Sequence, residues 1–213
     1  MPDLYVIAGP NGAGKSTVSR DLLSPDVEIF DGDKEFARLE QSYPDIDPVH
    51  LHMVVLEDLF EERKAAAIQG KYDFAYETNF SSEKAIQTPQ QFRQAGYDLN
   101  LIYIGLSNEK NAIERVSFRV KMGGHQVEAD QILTNYRDGL SNLEKYIGYF
   151  DKARVYHSVR ALEMRPPRLL YAFEKGTLLR QQQPIPKWAR HLPVESQSPP
   201  IKNEIKTSRG LKR

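Results

Sequence analysis

The chain has 213 residues, with 29 Lys+Arg against 29 Asp+Glu, no cysteine, and 40% apolar residues. That length suits one domain of ordinary size with an appendage, and the lack of cysteine excludes disulfides and thiolate metal sites. The zero net charge hides a split: residues 1–175 hold 21 basic and 27 acidic residues, whereas residues 176–213 hold 8 basic and 2 acidic ones. An acidic body with a basic extension implies different partners for the two parts.

The N-terminus, Met1-Pro2-Asp3-Leu4, carries no charged leader before an apolar run, and no stretch approaches the ~18–20 apolar residues that span a bilayer. A soluble cytoplasmic protein without membrane contact is expected. Leu4–Ala8 reads as a buried strand ending in a glycine-rich turn, followed by a helix from Lys15 to Leu23. Val27–Phe30 is a second strand, ending at Asp31-Gly32-Asp33. Residues 48–68 show helical spacing with a broad apolar face, closed by Gly70.

Tyr72–Tyr76 is a third strand ending at Glu77-Thr78, and Glu83–Ala95 a helix capped by Gly96. Leu99–Ile104 is the clearest strand. Asn108–Lys121 and Glu128–Tyr149 are helices joined through Gly123-Gly124. Ala153–Ser158 and Arg168–Glu174 are two final strands. Strands alternating with helices predict an α/β fold with a mostly parallel sheet. From Gly176 the chain holds five of its 13 prolines and the run Gln181-Gln182-Gln183. One α/β domain over 1–175 and a basic extension over 176–213 follow, with disorder expected beyond Leu192.

Gly9-Pro10-Asn11-Gly12-Ala13-Gly14-Lys15-Ser16 fits G-x-x-x-x-G-K-[ST] at every fixed position, between a strand and a helix. Triphosphate oxygens need donors packed closer than Cβ atoms allow, which the glycines permit. The helix start aims its positive dipole end at the phosphates. Lys15 can reach the β/γ oxygens, and the Ser16 hydroxyl can ligate Mg²⁺. Thr17 completes the cradle.

Ligands of a parallel sheet bind beyond the carboxyl ends of its strands. Asp31, Asp33, Glu77 and Thr78 all fall there. A hydroxyl acceptor needs a carboxylate to orient it and take its proton, a role open to Asp33 or Asp31. Glu77 suits holding substrate or a metal-bound water. The bland alternative for Asp31-Gly32-Asp33 is a simple turn. No acid follows the fourth strand at Ile104-Gly105-Leu106-Ser107, which argues against motor ATPases. Arg115 and Arg119 share a helix face, and Arg137 lies on the next helix. A two-helix lid would bring arginines onto the transferring phosphoryl group. Surface pairing with Glu114, Glu128 or Asp138 is the alternative. For His125 the alternative is a polar turn residue.

These stretches together resemble the zeta-toxin-like family of P-loop kinases, in its Gly-Gly-His-containing branch. The resemblance is carried by Gly9–Thr17, Phe30–Asp33, Glu77-Thr78-Asn79-Phe80-Ser81 and the run from Arg115 to Val127. Asn135-Tyr136-Arg137 with Ser141-Asn142-Leu143 completes it. It spans roughly residues 3–160. The resemblance implies a three-layer, nucleotide-kinase-like P-loop NTPase with a helical lid. It also implies transfer of phosphate from ATP or GTP with Mg²⁺ to a hydroxyl of a small molecule, in the toxin branch a UDP-N-acetylamino sugar.

Family roles would fall on Lys15 and Ser16 for phosphate and metal, on Asp33 as base, and on Glu77 and Thr78 for the acceptor. Arg119 would be the γ-phosphate clamp, and Gly9, Asn11, Gly12, Ala13 and Gly14 the cradle. Where the toxin carries a second lid arginine, this chain has His125. That leaves a weaker clamp, or its replacement by Arg115 or Arg137. An antitoxin protein is the partner this implies. The rival expectation is a nucleotide-dependent binding switch, with nucleic acid reached only through the basic tail.

Overall fold

Alternating burial makes the first strand. In β1 (Asp3–Ala8), Leu4, Val6 and Ala8 point into one apolar cluster and Ile7 into another. A strand buried on both faces reads as a continuous apolar run, as parallel strands do. The computed structural model describes residues 1–123, 126–158 and 166–192.

In chain order, α1 (Lys15–Leu22), β2 (Ile29–Phe30), α2 (Gly32–Ser42) and α3 (Pro48–Met53) follow β1. A π-helical segment, Val54–Leu59, then leads into α4 (Phe60–Gly70). After these come β3 (Phe74–Thr78), α5 (Gln87–Gln94), β4 (Asp98–Gly105), α6 (Glu109–Lys121) and α7 (Ala129–Tyr146). The chain continues with β5 (Lys152–His157), β6 (Arg168–Glu174), β7 (Thr177–Gln181) and a 3₁₀ turn, Lys187–Ala189.

The seven strands form one sheet in the order β2-β3-β1-β4-β5-β6-β7. The pairs β2/β3, β3/β1, β1/β4 and β4/β5 are parallel, whereas β5/β6 and β6/β7 are antiparallel. The fold is thus an α/β sheet, parallel through its first five strands, with an antiparallel edge. One apolar cluster holds Phe36, Leu51, Val55, Ala67 and Phe92 against Leu4, Val6, Leu99 and Leu101. The other holds Val18, Ala112 and Val116 against Ile7, Ala75, Ile102 and Ile104. Helices therefore cover both faces, and α7 contributes Ile132 to one cluster and Leu143 to the other.

Four local outcomes differ from the sequence expectations. The helix read over 48–68 is not one α-helix, because the π segment at Val54–Leu59 widens its middle turns and re-phases the apolar stripe. Asp31-Gly32-Asp33 is not only a strand end: Asp31 caps α2 by accepting from the Lys34 N–H at 3.3 Å. The helix expected over 83–95 begins at Gln87.

The break expected at Gly176 falls inside a hairpin. β7 adds to the sheet edge, and Trp188, Ala189 and Leu192 are buried in the larger cluster. Tyr171 Oη donates to the Ala189 carbonyl at 3.2 Å. The body thus extends to Leu192, and the disorder expected beyond it lies outside the described residues. No helix among the described residues is long and apolar enough to cross a membrane.

Candidate active site

The site stands at the carboxyl ends of β1, β3 and β2. Register puts Ile7 of β1 beside Glu77 of β3, and Ala8 beside Thr78. The Gly9 N–H continues the ladder, donating to the Thr78 carbonyl at 3.2 Å. Gly9 has φ +145°, and a Cβ there would lie 2.3 Å from the Ile104 carbonyl oxygen. Only glycine lets the loop turn this close over β4.

Helix α1 then starts at Lys15 with no side-chain cap and no acid in its first turn. Helices α2, α3 and α6 are each capped by an Asp or Asn side chain. The uncapped N–H groups of α1, together with the dipole, make its start an anion-binding end. Thr17 is exposed in this first turn, whereas Asn11 and Ala13 are buried in the loop.

Lys15 Nζ is held by three acceptors: the Gly9 carbonyl at 2.8 Å, the Pro10 carbonyl at 3.4 Å and Asn79 Oδ1 at 3.0 Å. Burial pushes its pKa down. The negative charges of Glu77, Asp33 and Asp31 oppose that, and the positive charge of Arg119 adds to it. Asp33 is exposed in the first turn of α2.

The Ser16 hydroxyl lies between two carboxylates, 2.8 Å from Glu77 Oε2 and 3.1 Å from Asp31 Oδ2. Ser19, one turn on, donates to Glu77 Oε1 at 3.4 Å. Burial and the Asp31 charge raise the Glu77 pKa, against the Ser16 hydrogen bond and the Lys15 charge. Burial pushes Asp31 up as well. The Lys34 hydrogen bonds and charge, with help from Ser16, outweigh it and hold Asp31 below its ordinary value. Lys34 Nζ sits 2.6 Å from Asp31 Oδ2. Two neighbouring carboxyls thus differ in their readiness to ionise.

Ser16, Asp31 and Glu77 are the residues able to hold a hard cation, which takes oxygen ligands. Among the described residues no group of three or more His, Asp or Glu is arranged as a metal cage. This open oxygen set fits an ion such as Mg²⁺, which binds through few protein ligands and completes its shell with phosphate and water.

The arginines separate. Arg115 Nη1 donates to the Gly12 carbonyl at 3.3 Å and to Ser158 Oγ at 2.7 Å, so it braces the P-loop from α6. Burial lowers its pKa. Arg137 instead forks onto Glu109 at 2.7 and 3.1 Å and stands in solvent. Its partner is none of the three acids expected for a surface pair. Thr78 Oγ1 accepts from the Phe80 N–H at 3.0 Å. His125 lies outside the described residues.

Sequence reasoning gave no role to Asn79, Ser19, Ser158 or Asn135, although Asn79 and Asn135 lie in the stretches that carry the family resemblance. Asn79 follows Glu77-Thr78 directly, and Ser19 lies one helical turn from Ser16, so spacing could have raised both.

A profile described as "Zeta toxin" matches residues 35–163, well over half of the chain. The chain belongs to the Zeta toxin family. The match begins after the P-loop, so the cradle is an independent observation from the motif and its geometry. An uncharacterized protein of Haemophilus influenzae is 29% identical over 139 residues, covering 60% of this chain and 88% of that protein.

Among solved structures, one from the PezAT chromosomal toxin–antitoxin system of Streptococcus pneumoniae aligns at 18% identity with a TM-score of 0.61. It covers 81% of this chain and 71% of that one. A chain of the AvrRxo1-ORF1:-ORF2 assembly with ATP aligns at 14% identity with a TM-score of 0.64. It covers 84% of this Zeta toxin family member and 60% of that chain. Likeness at these identities is likeness of fold.

Proposed function

We propose that the protein transfers the γ-phosphoryl group of ATP or GTP to a hydroxyl of a small molecule. The observation that carries this is the charge cluster around one amine. Lys15 sits in the P-loop with Asp31, Asp33, Glu77 and Arg119 all near enough to move its pKa. In this reading the P-loop amides and Lys15 hold the triphosphate, and Arg119 meets the charge on the transferring group. Arg115 keeps Gly12 in place. A bound Mg²⁺ at Ser16 would neutralise charge between the β- and γ-oxygens.

The acceptor oxygen bonds to the γ-phosphorus, the bond from that phosphorus to the β–γ bridging oxygen breaks, and the acceptor proton goes to Asp33. Asp33 suits the base role because its carboxylate is exposed beside Lys15, whereas Asp31 is committed to Lys34 and Ser16. In this reading Thr78 contacts the acceptor, and Glu77 does so from beside the Ser16 cation site. Family membership makes a UDP-N-acetylamino sugar the first acceptor to try.

The test is nucleotide turnover with a panel of sugar nucleotides, comparing wild type with Asp33→Ala. Loss of transfer of at least 100-fold with Mg·ATP affinity retained is expected, since a general base contributes roughly 10²–10⁴-fold. Full transfer by Asp33→Ala sinks the base assignment. The likeness to a chain of the PezAT toxin–antitoxin system also favours a protein partner of antitoxin kind. Co-expression with a neighbouring reading frame, followed by co-purification, tests that.

A further inference from the structure

One face of α7 touches both the P-loop, at Asn11, and the Asn79–Ser82 loop beside it. Asn135, Gly139 and Asn142 are spaced four and three residues apart, so they stack on that face. Asn135 is buried, and its Nδ2 donates to Asn11 Oδ1 in the P-loop at 2.8 Å. Its Oδ1 accepts from Ser81 Oγ at 2.7 Å and from Gln131 Nε2 at 3.0 Å. One turn on, a Cβ at Gly139 would lie 2.5 Å from the Asn79 carbonyl oxygen. Asn142 Nδ2 then donates to the Phe80 carbonyl at 2.8 Å and the Ser82 carbonyl at 3.0 Å.

The loop gripped here runs from Asn79 to Ser82, and the Asn79 side chain is one of the three acceptors that hold Lys15 Nζ, beside the Gly9 and Pro10 carbonyls. Helix α7 is itself anchored at both ends, through Ile132 in one apolar cluster and Leu143 in the other. It therefore has a fixed position from which to set the loop. Buried amide networks that are fully paired hold a single geometry, because any slip leaves a polar group unsatisfied.

We infer that α7 is the gauge that sets Lys15, with Asn135, Gly139 and Asn142 as positioning residues that fix Asn11 in the P-loop and the Asn79–Ser82 loop whose Asn79 meets the amine. None of the three touches the reacting atoms. The inference rests on the proposed kinase reading only for its consequence on nucleotide binding. The tie to Lys15 stands on geometry alone.

The test uses the full chain and three variants: Gly139→Ala, Asn142→Ala, and Asp138→Ala on the exposed side of α7 as control. Asn142→Ala is included because Gly139→Ala is the variant most apt to misfold. Two readouts are needed beside the melting temperature: the NMR resonance of the Lys15 ammonium, and Mg·ATP affinity by calorimetry.

The expected result is a displaced Lys15 resonance and at least fivefold weaker Mg·ATP binding in Gly139→Ala or Asn142→Ala, and neither change in Asp138→Ala. A variant that only melts earlier, with the Lys15 resonance or the affinity unmoved, overturns the inference. A wild-type protein that does not bind Mg·ATP refutes the kinase reading alone. The Lys15 resonance then still decides whether α7 sets the amine.

Discussion

Trp188 offers the sharpest quantitative test of where the folded body ends. It is 7% exposed, and its ring covers Gly105 so closely that a Cβ there would lie 2.3 Å from the indole. Its Nε1 donates to His157 Nδ1 at 3.3 Å, and Tyr103 lies 6.2 Å away between ring centroids. Truncating a buried aromatic to alanine costs about 3–5 kcal/mol. In a domain of this size each kcal/mol moves Tm by roughly 2–4 °C. Trp188→Ala should therefore lower Tm by about 6–20 °C, read by thermal unfolding in far-UV circular dichroism.

The Gly105 contact adds a second reading. Gly105→Ala should be strongly destabilising in the wild type and much less so with Trp188→Ala, since the two share one space. A fall of less than about 3 °C for Trp188→Ala would refute the claim that the body reaches Leu192.

Three further outcomes follow from the site. Gly9→Ala forces a Cβ onto the Ile104 carbonyl at φ +145°, so a cost of about 1–3 kcal/mol and loss of Mg·ATP binding are expected by denaturant titration and calorimetry. Glu77 has a pKa raised above its ordinary 4.5, so the folded chain binds more protons in the window above that value. Its contribution is fully present below that value and is lost as pH rises through the folded pKa. Glu77→Gln should then gain stability relative to wild type as pH rises, and a urea-denaturation series with parallel pH dependence for the two proteins would contradict this. Arg137→Ala should leave the unfolding midpoint close to that of wild type, because its pair with Glu109 is exposed; a clear loss in the same titration would show another role.

The sequence made the P-loop and the central strands plain because both are local. Leu4–Ala8 is a continuous apolar run and Leu99–Ile104 is broken only by Asn100, and glycines at fixed spacing carry the loop's geometry in themselves. Asp31-Gly32-Asp33 was legible as chemistry but ambiguous as structure, since the same residues that favour turns also cap helices. Strand β7 escaped because it is an edge strand paired only to β6, with little apolar pattern of its own. Trp188 was visible, but its partner Gly105 is far away in the chain. Asn135 was least legible of all: its bond to Asn11 spans 124 positions, and no spacing rule encodes a contact of that kind.

The shared Ser16 hydroxyl has one proton and two carboxylates to receive it. Phosphate oxygens entering beside Asp31 and Glu77 would add negative charge to negative charge. In the proposed enzyme a divalent cation reverses that balance, so nucleotide and cation should bind with positive cooperativity. Linkage makes the effect mutual: whatever factor the cation adds to nucleotide affinity, the nucleotide adds to the cation's. The acids around Ser16 would then act as a gate on charge, admitting the metal-loaded nucleotide and turning the bare one away.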